Sequence, residues 1–197
     1  MNPETEDAAV DPTYAFKPSL MGAICQFALR PDAIDWQIGR YSGSTRYDSV
    51  SAVRLSYRPV TMQSHRFVTE IWSAGTPKLQ IVSVSWRSMI EQQRLDRDYS
   101  AFVTELHRRL AAAGGVACFS TGLPVVTYWI GVVVFGAVML ATAALVVRAG
   151  ILEQWGASAL VGLFFLIFAY QVGSYFYRNR PRRYRPDAIP DGVLPRS

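Results

Sequence analysis

Apolar and polar residues alternate with period two early in the chain, shift to a helical period near residue 95, and then give way to two long chargeless stretches. Phe27 and Leu29 alternate with Ala28 and Arg30, and Ile34, Trp36 and Ile38 with Asp35 and Gln37, on either side of Pro31-Asp32. Alternation about a Pro-Asp turn predicts a β-hairpin with one buried face. Val53, Leu55 and Tyr57 against Arg54, Ser56 and Arg58 predict another strand, ended by Pro59, which cannot donate to a ladder. An aromatic and β-branched run over 67–72 is turned back at Gly75-Thr76-Pro77 into a run over 79–86. There Leu79 and Ile81 have one parity and Val82, Val84 and Trp86 the other, which predicts a bulge or a strand buried on both faces.

Leu95, Tyr99, Phe102, Val103, Leu106 and Leu110 fall on one stripe of an α-helix, with Asp96, Arg97, Asp98, Glu105 and Arg109 mostly off it. Gly114-Gly115 ends that helix and is expected to leave a short flexible tether. Ser88 with Glu91 fits a capping box for an earlier helical turn. Residues 1–20 carry Glu4, Glu6, Asp7, Asp11 and three prolines with few large apolar groups, and predict a disordered acidic tail. The soluble part is therefore expected to be an α+β or mainly-β domain over residues 21–114, an antiparallel sheet capped by a C-terminal amphipathic helix.

Residues 111–147 and 156–177 contain no Asp, Glu, Lys or Arg. Spans over 123–147 and 157–177 would be about 37 Å and about 31 Å long at the α-helical rise, enough for a hydrocarbon core of about 30 Å. Both are apolar all round, which predicts a transmembrane hairpin rather than two half-wet helices. The N-terminus lacks the basic and apolar regions of a secretory signal, so insertion falls to these segments. Small residues at four-residue spacing (Ala137 and Ala141, Ser158 and Gly162, Ala169 and Gly173) are expected to pack the two spans together. Gln171, the strongly polar residue well inside a span, is expected to hydrogen-bond across to Thr127.

Charge then sets orientation. Arg178, Arg180, Arg182, Arg183 and Arg185 follow the second span, whereas the connection between spans carries Arg148 and Glu153, which cancel. The positive-inside rule places this basic tail, residues 178–197, in the cytoplasm, and with two spans the N-terminal domain as well. Tyr128 and Trp129, with Tyr175, Phe176 and Tyr177, would belt that interface, and Trp155 the opposite one. The five arginines are expected to contact anionic lipid headgroups. The net charge of +5 is accounted for by the membrane, and no nucleic-acid partner is expected.

Chemistry-bearing patterns are few. The spacings of Walker A, GxGxxG, HExxH, GxSxG and EF-hand motifs are absent, so no catalytic, cofactor-binding or metal-ligating residue is assigned. His65 and His107 are expected to be solvated or locally bonded, and Glu70, Glu91, Asp96 and Asp98 to lie on a solvated face. Cys25 and Cys118, far apart and in no metal-like spacing, are expected to be reduced and unpaired.

Residues 23–114 resemble the bacterial pleckstrin-homology-like domains fused to transmembrane helices in small membrane proteins. The resemblance is carried by Phe27-Ala28-Leu29-Arg30 with Ile34-Asp35-Trp36, by residues 46–55, and by the closing helix over 99–110. It implies a curved seven-stranded sheet closed by a helix, and a tendency to self-associate. The first hairpin turn holds Pro31-Asp32-Ala33 instead of the basic cluster of lipid-binding relatives, so specific phosphoinositide binding is not implied. The expected function is a non-enzymatic, membrane-anchored interaction or scaffolding module whose partners are membrane lipids and other membrane proteins, a second copy included. The alternative is a subunit of a membrane transport or channel assembly, with Gln171 facing an internal cavity. If lipid is the solvent of the chargeless stretches, carbonate washing will leave the full chain in the membrane pellet; recovery in the aqueous fraction would refute it.

Overall fold

The computed structural model of the chain describes residues 11–59, 65–88, 91–190 and 192–195. Four strands, β1 (Thr13–Phe16), β2 (Cys25–Leu29), β3 (Ala33–Ile38) and β4 (Tyr41–Arg46), form one antiparallel meander in sequence order. The alternation sets its register: Phe27 pairs with Trp36 and Leu29 with Ile34, and Arg30 N donates to Ala33 O across the Pro31-Asp32 turn at 2.8 Å. A 3-10 turn, Tyr47–Ser49, leads into a second meander of β5 (Val50–Pro59), β6 (His65–Ser73) and β7 (Leu79–Val82).

The parity change after residue 81 is a break, not a bulge. The 0 % exposed Ser83 ends β7: its N donates to Phe67 O and its Oγ accepts from Phe67 N, both at 3.0 Å. The chain then leaves the sheet as a small hairpin of β8 (Val84–Trp86) and β9 (Gln92–Arg94). Ser88 and Glu91 do bond, Glu91 N to Ser88 Oγ at 3.2 Å, but within the turn of this hairpin and not at a helix start. Leu95 then opens helix α1 (Asp96–Ala112), which buries Tyr99, Phe102, Val103, Leu106 and Leu110 along the expected stripe.

The core lies between the two sheets and α1. Tyr14 packs at 5.5 Å from Phe102, Phe16 stacks on Phe27 at 6.1 Å, and Tyr14 Oη donates to Val82 O at 2.7 Å, tying the first sheet to the second. Inside, Thr69 Oγ1 and the Tyr99 hydroxyl share a 2.7 Å hydrogen bond, so neither buried polar group is left unpaired.

Three boundaries differ from expectation, because tertiary pairing recruits segments that have no periodicity of their own. Residues 1–10 of the expected acidic tail lie outside the described residues, but 13–16 are β1, with Tyr14 and Phe16 in the core. The stretch after Gly114-Gly115 is not a loose tether: β10 (Cys118–Thr121) adds to the second sheet parallel to β5. The basic tail folds back as β11 (Arg182–Arg183), antiparallel to β10, and Val193 reaches the core. The domain is thus discontinuous, with the hairpin inserted between β10 and β11. Glu70 also departs from the solvated reading: it is 3 % exposed, held by Lys78 at 2.6 Å and Arg58 at 3.1 Å. Cys25 is buried, Cys118 exposed, and both are unpaired.

Helices α2 (Val125–Ile151) and α3 (Trp155–Arg178) are long and apolar enough to cross a membrane. They form an antiparallel pair through a short turn at Glu153, whose φ is 56°. Aromatic rings, not small residues, fill the seam. Phe135 lies 5.9 Å from Phe168 and 5.7 Å from Phe176, and Tyr128 lies 5.8 Å from Phe176. Gly131 is the close approach: a Cβ there would sit 2.8 Å from the Phe176 ring. Ala137 and Ala141 are exposed, and a Cβ on Gly162 or Gly173 would meet nothing within 4 Å, so the expected small-residue contact is not made. Ser158 of that set bonds across, donating its hydroxyl to Val146 O at 3.1 Å.

Candidate functional site

The features that gather charge and buried polarity converge where the hairpin meets the sheet. β10 runs parallel to β5 and delivers Gly122 beside Leu55, whose carbonyl accepts the Gly122 N–H at 2.8 Å. Pro124 then opens α2, and α3 returns to the same place, where Asn179 ends it.

Asn179 is 0 % exposed and bonded in every direction. Its backbone N and side-chain Nδ2 both donate to Tyr175 O, at 3.0 and 3.2 Å, closing the carbonyl end of α3. Its Oδ1 accepts from Tyr57 N in β5 at 3.2 Å, and its carbonyl accepts from Leu123 N at 3.1 Å. One amide thus joins both helices to the sheet. Gly122 has φ +77°, and a Cβ on it would lie 2.3 Å from Asn179 O, so only glycine fits this crossing.

A second connection ties the tail to α1. Tyr184 N donates to Phe119 O at 3.2 Å, and its hydroxyl meets His107 Nε2 at 2.7 Å. His107 Nδ1 faces the carbonyl of Val103 at 2.7 Å; a carbonyl only accepts, so Nδ1 carries the proton and Tyr184 donates to Nε2. Burial holds the His107 imidazole below its ordinary pKa of 6.5, that is, neutral. His107 is therefore locally bonded, as expected, but it is buried and not solvated. Burial likewise pushes the Tyr184 phenol up, keeping it a donor.

On this frame the basic run is sorted. Arg178, Arg180 and Arg182, with Thr121, Tyr177, Pro190, Gly192 and Val193, line a cavity of about 310 Å³. Arg178 stacks 4.9 Å above the Tyr57 ring and Arg180 4.9 Å above that of Tyr177, cation–π contacts that hold the guanidinium groups without neutralising them. Arg183 and Arg185 are exposed and take no part in the cavity. Among the described residues none of the five arginines is in an ion pair.

Gln171 and Thr127 are not brought together: both are exposed, and neither side chain has a hydrogen-bond partner among the described residues. Gln171 lies about 140° around α3 from Phe176, off the seam, at 3.6 residues per turn. No group of three or more His, Cys, Asp and Glu is placed to hold a metal among the described residues. The His65 side chain lies outside them. Sequence reasoning found the arginines but missed Gly122, Asn179, Thr121 and Tyr57. The signal for two of them was their position, a glycine just before one span and an asparagine just after the other.

Scans against protein-family models, curated proteins and solved structures each return no match to this chain. The arrangement itself says what the site can do. Three guanidinium groups without a carboxylate partner among the described residues gather in a small cavity at the end of an apolar hairpin, an arrangement whose donors match the oxygens of a phosphate or carboxylate.

Gly122→Ala is expected to destabilise the full chain by at least about 2 kcal/mol through clash and left-handed strain. Gly114→Ala, with φ +65° but nothing within 4 Å of its Cβ, isolates the strain alone; denaturation of both variants in detergent compares them. Stability should also depend on pH through His107. Above 6.5 it is neutral both folded and unfolded; as pH falls below 6.5 the unfolded chain takes up a proton that the folded one refuses, and stability drops down to the depressed folded value. The melting temperature of wild type should fall from pH 7 to 5 more steeply than that of His107→Phe. Glu105, held at about 2 by Arg108 and Arg109, gives stability that is lost only as pH falls below its ordinary 4.5, which leaves that window clear.

Proposed function

We propose that the chain is a non-enzymatic, membrane-anchored interaction module, with α2 and α3 crossing the bilayer and the sheet domain held against the cytoplasmic leaflet. The observation that carries this is the convergence of Arg178, Arg180 and Arg182 in one cavity at the foot of an apolar hairpin. The cavity would take the phosphate of an anionic lipid headgroup, at about 1 kcal/mol for each arginine near the surface. The same arginines support the cytoplasmic placement of both termini by the positive-inside rule.

Two meanders in succession, four strands and then three, followed by α1, support a pleckstrin-homology-like fold for the soluble part. β10 and β11 would then be additions that weld such a domain to its anchor. Gln171 supports the interaction reading. It is a polar side chain on the outer face of α3, in a segment read as spanning, and in hydrocarbon it would seek a hydrogen-bond partner on another membrane protein or a second copy. That placement, facing out of the hairpin, gives the transport-subunit reading no support from within one chain.

The test is the lipid that stays with the full chain on purification in mild detergent. Wild type should retain anionic phospholipid in excess of its share of the membrane. The variant Arg178→Gln, Arg180→Gln, Arg182→Gln should lose that excess several-fold, while Arg183→Gln, Arg185→Gln should keep it. Equal retention by all three would refute the site.

A further inference from the structure

A second cationic site lies on the opposite face of the second sheet. Arg58 and Arg66 are directly paired across β5 and β6, like charge beside like charge. Among the described residues Glu70 is the one acid paired with Arg58, and it is already engaged by Arg58 and Lys78. Arg66 has no ion pair or hydrogen bond among the described residues, and its Nε is buried without a partner. Burial and Arg58 together pull its guanidinium below the ordinary arginine range, the mark of a cation lacking its anion. Ser56 Oγ, on the same face two residues before Arg58 and 1 % exposed, is also buried unpaired. A buried donor without an acceptor is costly, and native structures seldom keep one.

Arg66 opens into a cavity of about 460 Å³ between the two sheets. One wall is the row Phe16, Cys25 and Ile38, aligned across β1, β2 and β3 by their register, and Val82 lies in the other. Lys78 supplies a second cation, and the lining contains no acid. The cavity is therefore apolar-walled and positively charged. Its rim includes Pro18 and Ser19, in the β1–β2 connection that also carries Leu20, Ile24 and the wholly exposed Met21. Arg66 sits at the strand end one step beyond Tyr57, the ring on which Arg178 stacks below α3, so this rim is near the end of the sheet from which the hairpin rises.

We propose that this cavity binds an anionic amphiphile, with the anionic head on Arg66 and the aliphatic part against Phe16, Cys25, Ile38 and Val82. Charge complementarity selects the head, and the apolar row selects the chain. The exposed Leu20, Met21 and Ile24 would meet the lipid from which such a molecule comes. A free fatty acid or alkyl phosphate and a bilayer phospholipid share this chemistry. Neither the head alone nor the chain alone satisfies both halves of the cavity.

The experiment is native mass spectrometry of the full chain from phosphatidylcholine nanodiscs, titrated with octyl phosphate. Wild type should retain an octyl phosphate that Arg66→Gln loses or needs roughly tenfold more to hold, the loss of a charge-assisted bond. Arg66→Lys should retain binding, and an unchanged melting temperature shows that the glutamine variant is folded. Neither inorganic phosphate nor octyltrimethylammonium should show retention that depends on Arg66. The triple glutamine variant at Arg178, Arg180 and Arg182 lacks the headgroup cavity and should still keep the octyl phosphate that Arg66→Gln loses, which separates the two sites. Lipid extracted from wild type but missing from Arg66→Gln distinguishes free acid from phospholipid as the natural source. No adduct on wild type, equal adducts on Arg66→Gln, or equal retention of the cationic amphiphile would each overturn the proposal.

Discussion

A long apolar helix that ends against a folded domain must find partners for its last carbonyls there, because burial removes the water that would otherwise bond them. In this chain Asn179 meets that demand. It closes α3 on Tyr175 O, and it spends its remaining polarity on Tyr57 of the sheet and Leu123 ahead of α2. Each such bond is worth only about 1 kcal/mol net, but leaving any of these buried groups unpaired costs more. The geometry of one amide therefore fixes where two helices stand relative to a sheet. Gly122 is its counterpart, since the crossing leaves no room for a Cβ.

That joint governs the electrostatics around it. With the tail pinned by β11 and by the bond between Tyr184 and His107, Arg178, Arg180 and Arg182 cannot scatter as a free basic tail would. Two of them lie over aromatic rings, contacts that position charge and leave it available. Elsewhere several arginines are neutralised: Arg108 and Arg109 share Glu105, and Arg30 takes Asp11 and Asp35. The cations at the foot of the hairpin and Arg66 at the sheet end have no carboxylate partner among the described residues. Both places lie near the end of the sheet from which the hairpin rises.

The hairpin obeys a different rule from the domain. The two helices are apolar enough for a bilayer, where lipid tails are as apolar as leucine and packing rather than exclusion from water would hold α2 to α3. Rings do this along one side: Phe176 lies over Gly131 and against Tyr128 and Phe135. The remaining sides are apolar and unpartnered within the chain, and Gln171 lies on one of them.

Much of the fold was legible in the residue pattern. The Pro31-Asp32 hairpin, the stripe from Tyr99 to Leu110 and the two chargeless helices all follow from a period or a run length, which are local properties of the chain. The broken strand at Ser83 and the buried Glu70 were misread, because each depends on a partner across the sheet. By itself the sequence determined which segments are apolar enough for lipid and which face of each amphipathic element turns inward, since transfer free energy is carried residue by residue. Only the tertiary structure decided that residues 13–16, 118–121 and 182–183 join the sheets, that Asn179 and Gly122 lock the anchor, and that Arg66 is left without an anion. Those outcomes rest on single contacts between residues far apart in the chain, and such contacts leave no period for a pattern to reveal.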